Sequence, residues 1–112
     1  MSLNKHQIFA NDDLSEQFVD MPEWGGKVKI KAFSAREQLE MIDFIEKEPS
    51  EIQVAIKFII LSCVDEHNNK LFTEDDIDNL MKKKAMHLAE LANKIATLNK
   101  QDGDAVEDLA KN

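Results

Sequence analysis

The sequence predicts a mostly helical α+β domain, in which an N-terminal β-hairpin packs on a bundle of three or four helices. Its 112 residues fit one domain. Apolar and polar residues alternate over residues 28–33, which indicates a strand. Farther along, Ser34 and Ser50 each stand at the start of an apolar segment in a helix-capping position. Because two strands alone are marginal in water, the hairpin must pack on these helices.

Charge and composition exclude several classes of function. The formal net charge is −8 at pH 7. A negative field opposes the approach of a polyanion, so we expect no nucleic-acid partner and interpret Lys82, Lys83 and Lys84 as a solvated helix face. The longest apolar run, residues 54–64, is too short to span a bilayer, and the N-terminus lacks the apolar core of a signal peptide. The composition therefore predicts a soluble cytosolic protein without a membrane partner.

Residues 16–33 are predicted to form the hairpin. In its second strand, Val28 and Ile30 point to one face, while the lysines beside them point to the other. The turn between the strands contains the pair Gly25-Gly26, which supplies the positive φ angles that a tight turn needs. Residues 1–15 precede the hairpin and are predicted to form an N-terminal arm.

Two helices are predicted after the hairpin. The S-x-x-E capping box at Ser34 opens a helix that runs to about Lys47. Pro49 separates it from a second helix, residues 51–64, which Ser50 can cap. The second helix carries apolar residues in two stripes, and a helix with two apolar stripes is normally buried at the centre of a fold.

The residues after the second helix are predicted to form a polar turn, further helix and a C-terminal tail. A polar turn leads to Thr73, a good N-cap that is followed by acidic residues in the first helical turn. Apolar residues then recur at helical spacing as far as Leu98. Lysines at 82–84 would be unfavourable at a new helix N-terminus, which argues for one continuous helix, although the number of helices stays open. Residues 100–112 are predicted to form a mobile acidic tail, so the single domain spans residues 16–99.

The polar turn after residue 64 has a faint likeness to a calcium-binding EF-hand loop. Asp65 and Asn69 stand at ligand positions of such a loop. However, Lys70 occupies the position that requires glycine, and Asp76 occupies the position that requires glutamate. The favoured interpretation is a hydrogen-bonded turn that feeds a capped helix.

The other candidate site residues also have simpler structural interpretations. Cys63 and His67 are four residues apart, but Cys63 lies in an apolar run, where a free thiol behaves as a small hydrophobe. His6 and His87 have no second ligand type at metal-binding spacing. Trp24 is either an anchor for a partner or a cover for the join between hairpin and helices. We therefore expect no catalytic residues, no cofactor and no metal.

Several short motifs stand in a fixed order across residues 16–99. They are Met21-Pro22-Glu23-Trp24-Gly25-Gly26 in the hairpin, Ser34-Ala35-Arg36-Glu37 at a helix start, and Lys70-Leu71-Phe72-Thr73-Glu74-Asp75-Asp76-Ile77 before another helix. Together with residues 19–30, residues 60–66 and a last helix closing at Leu98 and Asn99, they resemble the tail assembly chaperone family of long, non-contractile-tailed phages and prophages. The resemblance also implies a helix break near Lys82 with a capping Ser or Thr, which this sequence lacks.

The resemblance implies a non-enzymatic function in the host cytoplasm. Such a chaperone binds the tape-measure protein, keeps its apolar helices in solution, helps recruit tail-tube protein, and leaves before the tail is complete. The predicted partner-binding residues are an apolar stripe and the hairpin tryptophan: Met81, Leu88, Leu91, Ile95, Leu98 and Trp24. A homo-oligomer is also compatible with so small a domain. The alternative is a small acidic helical adaptor or dimerisation module of an unrelated pathway.

Overall fold

The computed structural model describes the backbone of residues 1–111 and the side chains of residues 1–100. Within this range the chain is a mostly helical α+β structure, as the sequence predicts. The helices are α1 (Lys5–Ala10), α2 (Ala35–Glu46), α3 (Glu51–Ser62), α4 (Ile77–Leu80) and α5 (Ala85–Lys111). The strands are β1 (Glu16–Met21), β2 (Gly26–Lys31) and β3 (Cys63–Val64). None of the described helices combines the length and the hydropathy that a membrane span requires.

The predicted hairpin is confirmed. Strands β1 and β2 pair in antiparallel register, with Val19 opposite Val28. A short 3₁₀ turn at Pro22–Trp24 joins them, and Gly25 closes the turn at φ +88°, a left-handed conformation that glycine adopts without strain. The two-residue strand β3, which the sequence did not reveal, pairs with the other edge of β2 and completes a three-stranded sheet in the order β1-β2-β3.

The predicted capping box at Ser34 and the predicted cap at Ser50 are also confirmed. The Ser34 Oγ accepts the Glu37 N–H at 3.2 Å, and the Glu37 carboxylate accepts the Ser34 N–H at 2.8 Å. Ser50 and Gln53 make the equivalent pair at the start of α3. These reciprocal bonds satisfy amide groups that the first helical turn leaves free, so the starts of α2 and α3 are set by local sequence.

The core lies around α3, which is covered by α5 and by the inner face of the sheet. Ile59 of α3, Ile30 of β2, and Leu91 and Ile95 of α5 are all fully buried. Helix α2 contributes Met41 from its own inner face. The side chains of this cluster are Val19, Met21, Ile30, Ala32, Phe33, Met41, Ile56, Ile59, Ile60, Leu61, Cys63, Leu80, Leu88, Leu91, Ile95 and Leu98.

Two buried polar side chains fasten the end of the sheet to the helices. The Asn99 side chain of α5 accepts the Phe33 N–H at 2.7 Å and donates to the Ile95 carbonyl at 2.9 Å. The Ser62 hydroxyl of α3 donates to the Lys31 carbonyl at 2.8 Å. Since a buried backbone group without a partner is costly, these bonds fix the point where the chain leaves β2 for α2.

The structure corrects the expectation of one continuous helix through the lysines at 82–84. Turn hydrogen bonds from Lys82 N–H to the Asn79 carbonyl and from Lys83 N–H to the Leu80 carbonyl end α4, and α5 begins at Ala85. The break lets Leu80 and Leu88 enter the same core. Tertiary packing thus overrides the unfavourable charge at the new N-terminus. Helix α5 also continues past Asn99 to Lys111, although the sequence predicts that it closes at Asn99. The predicted mobility of residues 100–112 concerns a segment whose side chains, from residue 101 onward, lie outside the described part of the structure.

We expect Ile59→Ala to lower the free energy of unfolding by about 2–5 kcal/mol, the usual cost of emptying a buried large side chain. Phe58→Ala should fall toward the lower end of that range, because the ring is partly exposed. Ile52→Ala, on the exposed side of the same helix, is the matched control and should cost less than about 1 kcal/mol. Urea unfolding curves measure all three, and a loss below about 1 kcal/mol for Ile59→Ala would contradict the central position of α3.

Candidate partner-binding groove

An open, mainly apolar groove of about 660 Å³ lies between α2, α3 and the C-terminal half of the described part of α5. Its floor contains Phe33 and Phe58, whose rings pack edge to face with centroids 5.4 Å apart. Asn99 lies in the wall, where its hydrogen bond to Phe33 holds α5 in place. The lining residues are Phe33, Gln38, Met41, Ile42, Ile45, Glu46, Phe58, Ala96, Asn99 and Lys100.

Helix α2 presents an uncovered apolar face at this groove. Met41 is buried against the core, but Ile42 and Ile45 line the groove with 53% and 47% of their surface exposed. Leu39, one turn before Ile42, is 62% exposed. Three large apolar side chains on one face of one helix are more than the scattered exposure normal for a monomer. A face of this kind is the usual receptor for an apolar helix of a partner.

The C-terminal end of α2 is strongly acidic. Asp43, Glu46 and Glu48 are all exposed, and none of them forms an ion pair within the described residues. Carboxylates are unfavourable at a helix C-terminus, where the dipole prefers cations, and Lys47 is the base at the cap. Of these three carboxylates, that of Glu46 also lines the groove.

The structure places most of the predicted partner-binding stripe inside the molecule. Leu88, Leu91, Ile95 and Leu98 are buried and hold α5 against α3 and the sheet. In this conformation these four side chains are therefore not accessible to a partner. The helical spacing of these residues predicts an apolar face on α5, but it does not predict that α3 of the same chain covers that face.

The other two predicted residues lie nearer the surface. Met81 is exposed after α4, and Trp24 is partly buried where the hairpin turn packs on the core. The sequence analysis missed the α2 face, although a signal was present. The apolar residues of α2 at 39, 41, 42, 44 and 45 spread around more of the helix than one buried stripe requires.

The polar turn at residues 65–70 is hydrogen-bonded, as the sequence predicts. The Asp65 carboxylate accepts the N–H groups of His67 and Asn69 at 2.8 and 3.0 Å. Farther along, the Asp76 carboxylate accepts the Thr73 N–H at 2.8 Å and completes the predicted cap. The two carboxylates that an EF-hand would use as first and last ligands are therefore both engaged with backbone amides.

Cys63 and His87 are the remaining candidate side chains. Burial raises the pKa of the Cys63 thiol to about 12, so a nucleophilic thiolate does not form at neutral pH. His87, which the sequence analysis left without neighbours, lies with Glu23 and Glu90 so that their potential ligand atoms are within 4.8 Å of one another. Both carboxylates are exposed, and exposed acidic groups commonly lie together without a metal ion; the Glu90 carboxylate lies 4.0 Å from the His87 Nδ1.

Comparisons with known proteins bear on the fold and the family. The family model described as "T4 bacteriophage base plate protein" matches residues 15–104. The solved structure described as "Structure of bacteriophage HK97 tail assembly chaperone" is similar to this chain with a TM-score of 0.55 and 18% sequence identity, over 76% of this chain and 84% of that chain. No curated protein sequence matches significantly. The expected likeness to tail assembly chaperones is confirmed at the level of the fold.

We expect millimolar calcium to leave the melting temperature unchanged, because Lys70 replaces the required glycine and backbone amides occupy the Asp65 carboxylate. Differential scanning calorimetry with calcium and with chelator measures the effect, and magnesium controls for general ionic effects. A clear upward shift with calcium alone would contradict the assignment of this turn.

The same turn predicts a pH effect on stability. The amides of Asn69 and His67 hold the pKa of Asp65 below its usual value of 3.8. The charged carboxylate therefore stabilises the fold above about pH 4, and this contribution disappears as the pH falls through the lowered pKa. Asp65→Asn should be less stable than the wild type at pH 6, and the difference should shrink toward pH 2.5.

Urea unfolding at the two pH values measures the pH effect. Asp78→Asn is the control, since its carboxylate accepts no hydrogen bond among the described side chains. A difference for Asp65→Asn that does not change with pH would show that the charge of this carboxylate is irrelevant to the turn.

Proposed function

The chain belongs to the family described as the T4 bacteriophage base plate protein, and from that premise we propose that it acts in the assembly of a phage or prophage tail as a chaperone. It binds an apolar helical segment of the tape-measure protein in the host cytoplasm, assists polymerisation of the tail-tube protein, and is absent from the mature virion. The fold shared with the HK97 tail assembly chaperone supports this proposal. The action is binding and release, without a catalytic step.

The observation that carries the proposal is the uncovered apolar face of α2 above the groove. An amphipathic helix that lays its apolar face there removes Leu39, Ile42 and Ile45 from water together with its own side chains. Burial contributes roughly 25 cal/mol for each Å² of apolar surface removed from water, and this contribution favours the contact. The groove is open along one side, so the bound segment can leave without unfolding the domain.

The acidic surface contributes a second property that the proposed function needs. With a net charge of −8, complexes of this protein with a long apolar partner repel one another. Repulsion between complexes opposes the aggregation that exposed apolar helices would otherwise cause. The protein thereby combines a local apolar contact with a long-range barrier against clustering.

A permanent baseplate component is the second candidate function, and the description of the matching family model favours it. Such a component remains in the finished particle, whereas a chaperone departs before completion. Mass spectrometry of purified virions separates the two. Absence of this chain from intact particles, together with its presence in infected or induced cells, supports the chaperone.

We expect Ile42→Asp to abolish most of the effect of this protein on the tape-measure protein of the same phage or prophage, because a charge in the groove opposes apolar docking. Upon coexpression, the soluble fraction of tape-measure protein should fall several-fold relative to the wild type. Ile42 is already half exposed, so the variant should fold, and circular dichroism checks this.

Met86→Asp is the matched control, because Met86 is 60% exposed on α5 and lies outside the groove. It should keep the tape-measure protein in solution as the wild type does. Equal solubility with wild type and Ile42→Asp would show that the groove is not the binding surface.

A further inference from the structure

Three possible metal ligands from distant parts of the sequence lie together where the hairpin turn meets α5. Glu23 comes from the turn, while His87 and Glu90 stand about one helical turn apart in the N-terminal part of α5. With one ligand atom taken from each residue, all three atoms lie within 4.8 Å of one another. Because Glu23 is far from the other two along the chain, sequence spacing alone could not reveal this cluster.

The imidazole of His87 distinguishes this cluster from an ordinary group of exposed carboxylates. The side chain is 13% exposed, and its Nδ1 is a buried atom that has no hydrogen-bond partner among the described residues. The Glu90 carboxylate oxygen, 4.0 Å away, is too distant for a hydrogen bond. A buried polar atom without a partner is costly, and a cation between the nitrogen and the carboxylates would satisfy all three groups.

We propose that His87, Glu23 and Glu90 bind a zinc ion, with the Nδ1 of His87 and one oxygen of each carboxylate as ligands. Imidazole nitrogen and carboxylate oxygen both bind zinc, at about 2.0–2.2 Å, and water can hold the fourth position of such a site. The two carboxylates together balance the charge of a divalent ion. The inference goes beyond the proposed function and does not depend on it.

The ligand set favours zinc over calcium and magnesium. Calcium takes more oxygen ligands than this cluster supplies, and magnesium prefers an octahedral shell of oxygens. Imidazole instead suits zinc and the neighbouring first-row metals. The expectation that calcium leaves the melting temperature unchanged therefore applies to this site as well.

Packing of the hairpin turn positions Glu23 beside α5. Met21, two residues before it, is 1% exposed, and Trp24, directly after it, packs against the core. A tetrahedral zinc site with these bond lengths needs ligand atoms about 3.4 Å apart, so the carboxylates must move slightly inward. Both carboxylate side chains are exposed, and rotation about their side-chain bonds can supply this movement. Zinc thereby joins the hairpin turn to the start of α5.

Calorimetric titration of untagged, chelator-treated protein with zinc measures the affinity. The titration is done at pH 8, because protons compete with the metal for the imidazole nitrogen. One zinc ion per chain should bind, and a saturating concentration should raise the melting temperature by several degrees. Trp24 is the only tryptophan of the chain and the neighbour of Glu23, so its fluorescence should change over the same titration. Nitrogen NMR spectra of the imidazole rings should place the metal on the Nδ1 of His87.

Substitution of each ligand tests the assignment. His87→Gln, Glu23→Gln and Glu90→Gln should each raise the dissociation constant for zinc by about a hundredfold or more, since loss of an outer partner alone costs about tenfold to a hundredfold. Each variant keeps a polar side chain of similar length, and circular dichroism checks that it folds. Glu46→Gln, at an exposed position on α2, is the matched control and should bind zinc as the wild type does.

The other two histidines provide a second control. The double variant His6→Gln/His67→Gln keeps His87 as its only histidine and should bind zinc as tightly as the wild type. A wild type without saturable binding at micromolar zinc would overturn the inference and would leave a protonated imidazole as the partner of the two carboxylates. Binding that persists in His87→Gln, or that is lost in the double variant, would place the zinc elsewhere and overturn it equally.

Discussion

The structure depends on the need to cover α3, a helix that is apolar on nearly every side. No single neighbour can do this, because one helix or one sheet face covers only part of a cylinder. Helix α5 lies along one side, the inner face of the hairpin along another, and α2 and α4 complete the cover. Ile59 and Leu91 lose all contact with solvent as a result. The other elements take their positions from this requirement.

The same requirement explains why α2 is left half exposed. Met41 and the partly buried Phe44 satisfy its share of the cover over α3. Its remaining apolar residues Ile42 and Ile45 then face the gap toward α5, where Asn99 binds the Phe33 amide. The groove is therefore already formed in the isolated chain.

Features with local causes could be predicted from the sequence, and features with tertiary causes could not. The hairpin followed from alternation and Gly25, and the starts of α2 and α3 followed from Ser34 and Ser50. Strand β3 is two residues at the end of an apolar helix, too short to leave a periodic signal. The break before Ala85 depends on core packing that outweighs the local charge preference. Similarly, the spacing of apolar residues predicted the apolar face of α5 but not the groove beside α2. Such spacing shows that a helix face is apolar, but it does not identify which element covers that face.

The distribution of charge resolves a difficulty that an exposed apolar groove creates. An exposed apolar groove invites nonspecific association between molecules, and the net charge of −8 opposes this association by electrostatic repulsion.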